Sequence, residues 1–86
     1  MVRDQLIISN PTGLHTRPAK RVVSEAKQFE SDITLKFGEK EANVKSLLKL
    51  MKLGISQNHT VEIICEGSDE TAALVHIKDF LLNLEG

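Results

Sequence analysis

The sequence predicts an α+β fold with two layers, in which helices pack on one face of a four-stranded antiparallel sheet. Apolar residues recur at every second position in three short segments, as in strands with one buried face, and a tight turn after the second of them predicts a fourth, returning strand. Apolar residues recur at helical spacing in three other segments. The segments follow one another in the order β-α-β-β-α-β-α. With 86 residues, the chain is expected to form a single domain over residues 1–86.

The first strand and the first helix are predicted from two different periodicities. Residues 2–8 place alternate apolar side chains on one face, and an Asn-Pro-Thr-Gly turn follows them. From about residue 16 to residue 29 the apolar side chains form one helical stripe. Pro18 suits the first turn of this helix, because an N–H group has no partner within the helix there.

A β-hairpin and a short helix are predicted next. Residues 33–37 alternate between apolar and polar, Gly38 and Glu39 fit a two-residue turn, and residues 40–43 form the returning strand. The short helix is predicted over residues 46–53, because a serine suited to an N-cap precedes it and a glycine follows it directly.

The last third of the chain is predicted to form a strand and a helix. Val61, Ile63 and Cys65 lie at every second position and so share one face of a predicted strand. The Ser-Asp-Glu sequence at 68–70 favours a helix start, because negative charge complements the positive end of the helix dipole. The apolar stripe of this helix comprises Ala73, Leu74, Ile77, Phe80, Leu81 and Leu84.

The composition argues against several classes of protein. No apolar run approaches the ~18 residues of a membrane span, and the N-terminus lacks the apolar region of a signal peptide. The single cysteine, Cys65, cannot form an internal disulfide, which favours a reducing cytoplasm. No zinc-binding spacing, nucleotide-binding glycine loop or paired carboxylate motif is present, so neither a metal nor another cofactor is expected.

Charge is distributed unevenly along the chain. Residues 1–53 carry 10 Lys/Arg and 6 Asp/Glu, a net charge of +4, and residues 54–86 carry 1 and 6, a net charge of −5. The basic part favours acidic partners although the whole chain has a net charge of −1. A nucleic-acid-binding domain is disfavoured, because three Phe and no Tyr or Trp leave few platforms for stacking bases.

The segment GLHTRPA, residues 13–19, places a histidine and an arginine where a glycine-containing loop enters a helix. The first N–H groups of a helix lack partners, and together with the helix dipole they form an anion site. Arg17 adds a guanidinium suited to phosphate, and positive surroundings disfavour a further positive charge on His15. His15 is therefore a candidate phosphoryl acceptor. The alternative is that His15 is a polar helix cap and Arg17 a solvated side chain.

The predicted helix over residues 46–53 is apolar around more than half of its circumference, and only Lys49 and Lys52 mark a polar side. A two-layer domain buries a narrower stripe, so the surplus is expected to form a docking patch. The alternative is a helix that lies unusually deep in the core. Ser46 is likewise open to two interpretations, as a plain N-cap or as a phosphorylation site.

Two segments carry a resemblance to a known family. Residues 13–19 resemble the active-site segment of the bacterial histidine-containing phosphocarrier (HPr) family of the sugar phosphotransferase system, and KSLLKLMKLG at 45–54 resembles a second segment of it. The similarity continues through SDIT at 31–34 and EGSDE at 66–70, and so covers nearly the whole chain. It implies an open-faced β-sandwich of four antiparallel strands with three helices on one face.

The resemblance also implies roles for individual residues. His15 would be phosphorylated on Nδ1 by phospho-enzyme I, which is charged by phosphoenolpyruvate, and would pass the phosphoryl group to a histidine of a sugar-specific enzyme IIA. Phosphate binding is expected at the helix start formed by Thr16, Arg17, Pro18 and Ala19, although Pro18 has no N–H. The implied docking surface comprises Leu47, Leu48, Lys49 and Met51. Leu50 and Leu53 are implied to face the core.

The sequence departs from the family pattern after the Pro-Ala pair, where Lys20 and Arg21 replace the usual small residues. Both make the site more basic, and Lys20 is expected to contribute to partner docking. In some family members Ser46 is phosphorylated by a dedicated kinase, which blocks the carrier function and favours a corepressor role with a transcriptional regulator. The serine is retained in this chain.

We therefore expect a monomeric, cytoplasmic phosphoryl carrier that depends on partner enzymes and is not itself an enzyme. One alternative is a regulatory module controlled through Ser46, and another is a carrier serving a nitrogen-related phosphotransferase branch. A relative specialised for regulation would be expected to lack the histidine, so His15 favours the carrier.

Overall fold

The computed structural model describes residues 1–84 and contains seven elements in the predicted order. The strands are β1 (Val2–Ile7), β2 (Asp32–Phe37), β3 (Lys40–Asn43) and β4 (Thr60–Glu66). The helices are α1 (Thr16–Ala26), α2 (Leu47–Met51) and α3 (Glu70–Leu82).

The strands form one antiparallel sheet in the order β1-β4-β2-β3, which leaves β1 and β3 at its edges. Leu6 of β1 is paired with Val61 of β4, and Ile33 of β2 is paired with Cys65 of β4. These pairs bring apolar side chains together on one face of the sheet. The prediction of an α+β fold with a four-stranded antiparallel sheet is confirmed.

The hydrophobic core lies between this apolar face and the helices. Ile33, Leu35 and Ile63 of the sheet belong to the same buried cluster as Val22 of α1 and Ile77 of α3. The opposite face of the sheet carries mainly charged and polar side chains, so the two-layer arrangement is open on that side. No helix within residues 1–84 combines the length and the apolar character needed to cross a membrane.

Helix α1 ends at Ala26, before the predicted end at residue 29. The Nζ of Lys45 donates a hydrogen bond of 2.7 Å to the carbonyl of Phe29, and the Phe29 ring lies 5.3 Å from the His76 ring, centroid to centroid. Phe29 thus packs against the core from a loop. The predicted end is wrong because an apolar side chain at helical spacing reaches the core here without continuing the helix.

Asp69 holds the start of α3, although it does so differently from the sequence prediction. It occupies the N-cap position but makes no capping hydrogen bond to its own helix. Its carboxylate instead accepts hydrogen bonds of 2.9 Å from the N–H groups of Glu30 and Ser31, and another from the Ser31 hydroxyl. The Ser31 hydroxyl and then the Glu30 N–H lower the pKa of Asp69. Asp69 thereby ties α3 to the loop that precedes β2.

Candidate functional site

The loop that precedes α1 is held against the loop that follows α2. The N–H of Leu14 donates to the carbonyl of Ile55 at 3.1 Å, and the Nδ2 of the buried Asn10 donates to the carbonyl of Gly13 at 2.6 Å. Gly13 has a φ of +62°, and a Cβ at this position would lie 2.5 Å from the Ile55 carbonyl oxygen and 2.6 Å from the Cα of Ser56. Both the backbone conformation and this close approach require glycine, and together they fix the entry into α1.

His15 is the N-cap residue of α1, and it is exposed. Its backbone is extended, with φ −75° and ψ 178°, and its carbonyl accepts a hydrogen bond of 2.9 Å from the N–H of Ala19. The imidazole itself makes no capping hydrogen bond to the helix. This geometry argues against the interpretation of His15 as a polar cap, because the ring leaves the backbone donors of α1 free.

The start of α1 offers two free backbone donors beside His15. Within residues 1–84, the N–H groups of Thr16 and Arg17 have no hydrogen-bond partner. Pro18 has no N–H, and the N–H of Ala19 is already bound within the helix, so neither adds a free donor. The free amides, the positive end of the helix dipole and the exposed guanidinium of Arg17 form an arrangement that suits an oxyanion.

Helix α2 presents an apolar surface next to this site, which we call the α2 patch (Leu47, Leu48 and Met51). Leu48 is 67% exposed and Met51 is 37% exposed, whereas Leu47 is half-buried. Leu50 on the opposite side of the helix is completely buried. The core therefore buries only part of the apolar surface of α2. This favours the interpretation of the exposed part as a docking patch over that of a deeply buried helix.

A contact between the two helices brings the α2 patch to the start of α1. The hydroxyl of Thr16 donates to the sulfur of Met51 at 3.7 Å, across 35 residues of sequence. His15 directly precedes Thr16 in the chain. The candidate phosphoryl acceptor and the exposed apolar surface thus belong to one continuous region of the molecule.

The sequence matches one protein family along nearly its whole length. The family described as "PTS HPr component phosphorylation site" matches residues 2–83. The chain belongs to the HPr family. A phosphocarrier protein HPr of Buchnera aphidicola subsp. Acyrthosiphon pisum (strain APS) is 41% identical over 85 residues, which cover 99% of this chain and 100% of that protein.

Solved structures from the HPr family share this fold. The histidine-containing phosphocarrier protein of Mycoplasma has a TM-score of 0.90 at 33% identity, covering 95% of this chain and 93% of that one. The Bacillus subtilis catabolite repression protein Crh has a TM-score of 0.77 at 37% identity, covering 94% and 93%, and that protein is described as a dimer with a swapping domain. The predicted family is therefore confirmed.

Several basic side chains around the candidate site form no ion pair with the described part of the chain. Within the described part of the chain, Arg17, Lys20, Lys49 and Lys52 form no ion pair, and all four are exposed. The ion pairs that do form lie among the strands and on the side of α3. The region around His15 and the α2 patch therefore carries several positive side chains that form no ion pair within residues 1–84.

Ser46 is the N-cap of α2, as the sequence predicts. Its Oγ accepts a hydrogen bond of 3.5 Å from the N–H of Lys49, and its side chain is partly accessible. Helix α2 is shorter than the helix predicted over residues 46–53. It runs from Leu47 to Met51 and has Lys52 as its C-cap. Ser46 directly precedes the α2 patch, so capping and a regulatory role are compatible at this position.

The loop after α2 supports the site through residues to which the sequence analysis assigned no role. The Nδ1 of His59 accepts a hydrogen bond of 3.0 Å from the N–H of Ser56, and its ring stacks on Phe37 with 4.6 Å between centroids. Ser56 in turn lies against Gly13. The contact of His59 with Phe37 and the approach of Ser56 to Gly13 join segments that are distant in sequence, so no local pattern indicates them.

Proposed function

We propose that the chain accepts a phosphoryl group on His15 from phospho-enzyme I, charged by phosphoenolpyruvate, and passes it to a histidine of an enzyme IIA during sugar uptake. The observation that carries this proposal is the exposed imidazole of His15 at the start of α1, next to the free N–H groups of Thr16 and Arg17. Membership of the HPr family supports it.

In the proposed reaction the lone pair of the His15 Nδ1 attacks phosphorus. The new nitrogen–phosphorus bond forms as the bond between phosphorus and a histidine nitrogen of enzyme I breaks. The electrons of the broken bond stay on that nitrogen of enzyme I. The free amides and Arg17 stabilise the charge on the three phosphoryl oxygens. The same bond changes, with the chain now acting as donor, deliver the group to enzyme IIA.

Transfer between two proteins requires that both histidines be held in line, and a carrier must release each partner afterwards. In this proposal the α2 patch supplies the apolar centre of a small interface, with Lys49 and Lys20 at its rim. A modest contact area favours short-lived complexes, because small interfaces are typical of transient encounters. The protein would act in the cytoplasm, where phosphoenolpyruvate is available.

The test is incubation with purified enzyme I and phosphoenolpyruvate, followed by measurement of acid-labile phosphate. Wild-type protein should take up one phosphoryl group, and His15→Ala should take up none. His76→Gln is the matched control, because His76 contacts Glu25 and Phe29 on the side of α3. Undiminished labelling of His15→Ala, or no labelling of the wild type, would overturn the proposal.

A second candidate function is regulation through Ser46, and the position of this residue at the N-cap of α2 favours it. A phosphate there would add about −1.5 to −2 charges beside the α2 patch and hinder docking of an acidic partner. Ser46→Asp should therefore raise the KM for phospho-enzyme I, whereas Ser46→Ala should not. Equal KM values for the two variants would argue against such control, and mass spectrometry after exposure to a serine kinase tests the modification directly.

Partner choice and oligomeric state complete the proposal. We propose a monomer, which light scattering after gel filtration tests directly, and a dimer like that described for Crh is the opposing outcome. Transfer from the phosphorylated chain to a sugar-specific enzyme IIA, compared with a nitrogen-related one, distinguishes the two branches of the phosphotransferase system.

A further inference from the structure

Residues 55–59, which connect α2 to β4 and which we call the 55–59 segment, hold the start of the loop that leads into α1. The N–H of Ile8 donates to the carbonyl of His59 at 2.9 Å, and the N–H of Asn58 donates to the carbonyl of Ile8 at 2.7 Å. The side-chain amide of Gln57 donates a further hydrogen bond of 3.2 Å to the carbonyl of Ser9. The beginning of the loop is therefore fixed by this segment.

The 55–59 segment also holds the other end of the loop, next to the candidate phosphoryl acceptor. The carbonyl of Ile55 accepts a hydrogen bond of 3.1 Å from the N–H of Leu14, which directly precedes His15. Ser56 lies so close to Gly13 that a Cβ on the glycine would lie 2.6 Å from the Ser56 Cα. Any displacement of Ser56 is therefore expected to shift the backbone that carries His15.

The side chain of His59 closes the 55–59 segment on itself. The N–H of His59 donates to the carbonyl of Ser56 at 3.2 Å, and the Nδ1 of His59 accepts a hydrogen bond of 3.0 Å from the N–H of Ser56. Between these two residues lies Asn58, whose φ of +72° is the one left-handed value at a non-glycine residue within residues 1–84. A left-handed backbone is strained for a residue with a Cβ, so the segment needs contacts that hold it in place.

Only one protonation state of the His59 ring makes this contact. A backbone N–H is always a donor, so Nδ1 must present a lone pair to Ser56 and the neutral ring must carry its proton on Nε2. A proton on Nδ1 would place two donors 3.0 Å apart and break the hydrogen bond. Because histidine changes its charge between about pH 5 and pH 8, mild acid is expected to release Ser56.

The surroundings of the His59 ring do not replace the lost hydrogen bond. The ring stacks on Phe37 of β2, with 4.6 Å between centroids, and the 55–59 segment contains no other titratable side chain. The charged residues nearest to Phe37 in its hairpin are Lys36, Glu39 and Lys40. None of these three forms an ion pair or a hydrogen bond with the ring.

We propose that His59 is a positioning residue for phosphoryl transfer, which in its neutral form holds Ser56 against Gly13 and so keeps His15 in the position that transfer requires. This inference rests on the proposed function and deepens it, because it adds a pH-dependent control of the same site. When His59 is protonated, Ser56 is released, the loop before α1 loosens, and phosphorylation of His15 slows. His59 acts through the loop and touches neither the phosphoryl group nor the partner protein.

The experiment measures kcat and KM for phosphorylation by purified enzyme I and phosphoenolpyruvate, at about pH 8 and about pH 5.5. His59→Asn is the conservative variant, since its Oδ1 occupies the place of Nδ1 and accepts a hydrogen bond at both pH values. His59→Phe keeps a ring to stack on Phe37 but has no acceptor. At pH 8, His59→Asn should lie within about 2-fold of wild type, whereas His59→Phe should lower kcat about 3- to 10-fold with KM little changed.

The pH profile separates positioning from a merely structural role. The kcat of wild type divided by that of His59→Asn should fall about 3- to 10-fold from pH 8 to pH 5.5, and this ratio removes the pH dependence of His15 and of enzyme I. An NMR titration of the protein alone needs no partner, and in wild type the amide signal of Ser56 should move together with the ring signals of His59. Circular dichroism identifies a variant that loses its fold.

Parallel pH profiles for wild type and His59→Asn, or a Ser56 amide that does not follow the His59 ring, would overturn this inference while leaving phosphorylation of His15 intact. Equal kcat values for folded His59→Phe and His59→Asn at pH 8 would do the same. Absence of phosphorylation in the wild type would instead defeat the proposed function.

Discussion

The hydroxyl of Thr16 lies 3.7 Å from the sulfur of Met51, so the first residue of α1 touches the last residue of α2. This contact joins the residue next to His15 to the exposed α2 patch. An approaching protein that covers the patch therefore comes to lie beside the imidazole, and docking and positioning of the reacting group become one event.

Substitutions of Leu48 and Leu50 should affect docking and stability separately, although both residues lie on α2. Leu48 is 67% exposed, so Leu48→Ser should leave the free energy of unfolding within about 0.5 kcal/mol of wild type and raise the KM for phospho-enzyme I about 5- to 30-fold. Leu50 is completely buried, so Leu50→Ala should lower the free energy of unfolding by about 2–5 kcal/mol. Urea unfolding and transfer kinetics measure the two effects, and an unchanged KM for Leu48→Ser would remove the patch from the docking surface.

Alanine substitutions at Gly13 and Gly38 test whether the close approach of the loop before α1 to Ile55 matters for the site. Both glycines have positive φ, +62° and +63°, but a Cβ at Gly38 would meet nothing within 4 Å. Gly38→Ala should therefore cost only the conformational strain, about 1–2 kcal/mol. Gly13→Ala adds a backbone clash and should cost about 2–5 kcal/mol. Gly13→Ala should also slow phosphorylation of His15 under conditions where the variant is folded, which Gly38→Ala should not do.

Asp69 is expected to make stability depend on acid pH. Its pKa lies below the ordinary value of 3.8, because the native carboxylate accepts hydrogen bonds from the Ser31 hydroxyl and the Glu30 N–H. The unfolded chain binds this proton at a higher pH than the native protein does. The stabilisation is therefore complete above the ordinary pKa and is lost as pH falls through the lowered native value.

This pH dependence is measured by urea unfolding of wild type and Asp69→Asn between pH 7 and pH 2.5. Circular dichroism is the suitable signal, because the chain has no Trp or Tyr. Asp69→Asn should have the lower free energy of unfolding at neutral pH. The difference in free energy of unfolding between the two proteins should decrease as the pH is lowered towards 2.5. Asp32→Asn, which alters an exposed carboxylate, is the control. A difference of constant size across the range would contradict the assigned role of Asp69.

Cys65 should be unreactive in the native protein. It is completely buried between β1 and β2, and desolvation, followed by the charges of Glu70 and Asp69, raises the pKa of its thiol to about 11. Thiolate is the reactive form, so a disulfide reagent at pH 8 should label the native protein only at the rate of unfolding. Complete labelling in guanidinium is the control, and rapid labelling of the native protein would contradict this burial.

Much of the fold follows from local patterns. Alternation identified three of the strands, and the turn identified the fourth, whose predicted residues 40–43 match β3 at both ends. Gly38 and Glu39 form the two-residue turn that the sequence predicts, because the pairing of Phe37 with Lys40 leaves only these two residues between the strands. The end of α1 and the partners of Asp69 were not predictable, since both depend on a loop and a side chain that meet across the fold.

The sequence by itself determined the types of element, the helix start that carries His15 and Arg17, and the family, because these are properties of short segments. Only the tertiary structure decided which side of α2 remains exposed, that Thr16 of α1 contacts this surface, and that the guanidinium of Arg21 lies near the Phe80 ring. The physical reason is that periodicity fixes how a residue is oriented on its own element. Exposure and available charge depend on what the other elements leave uncovered.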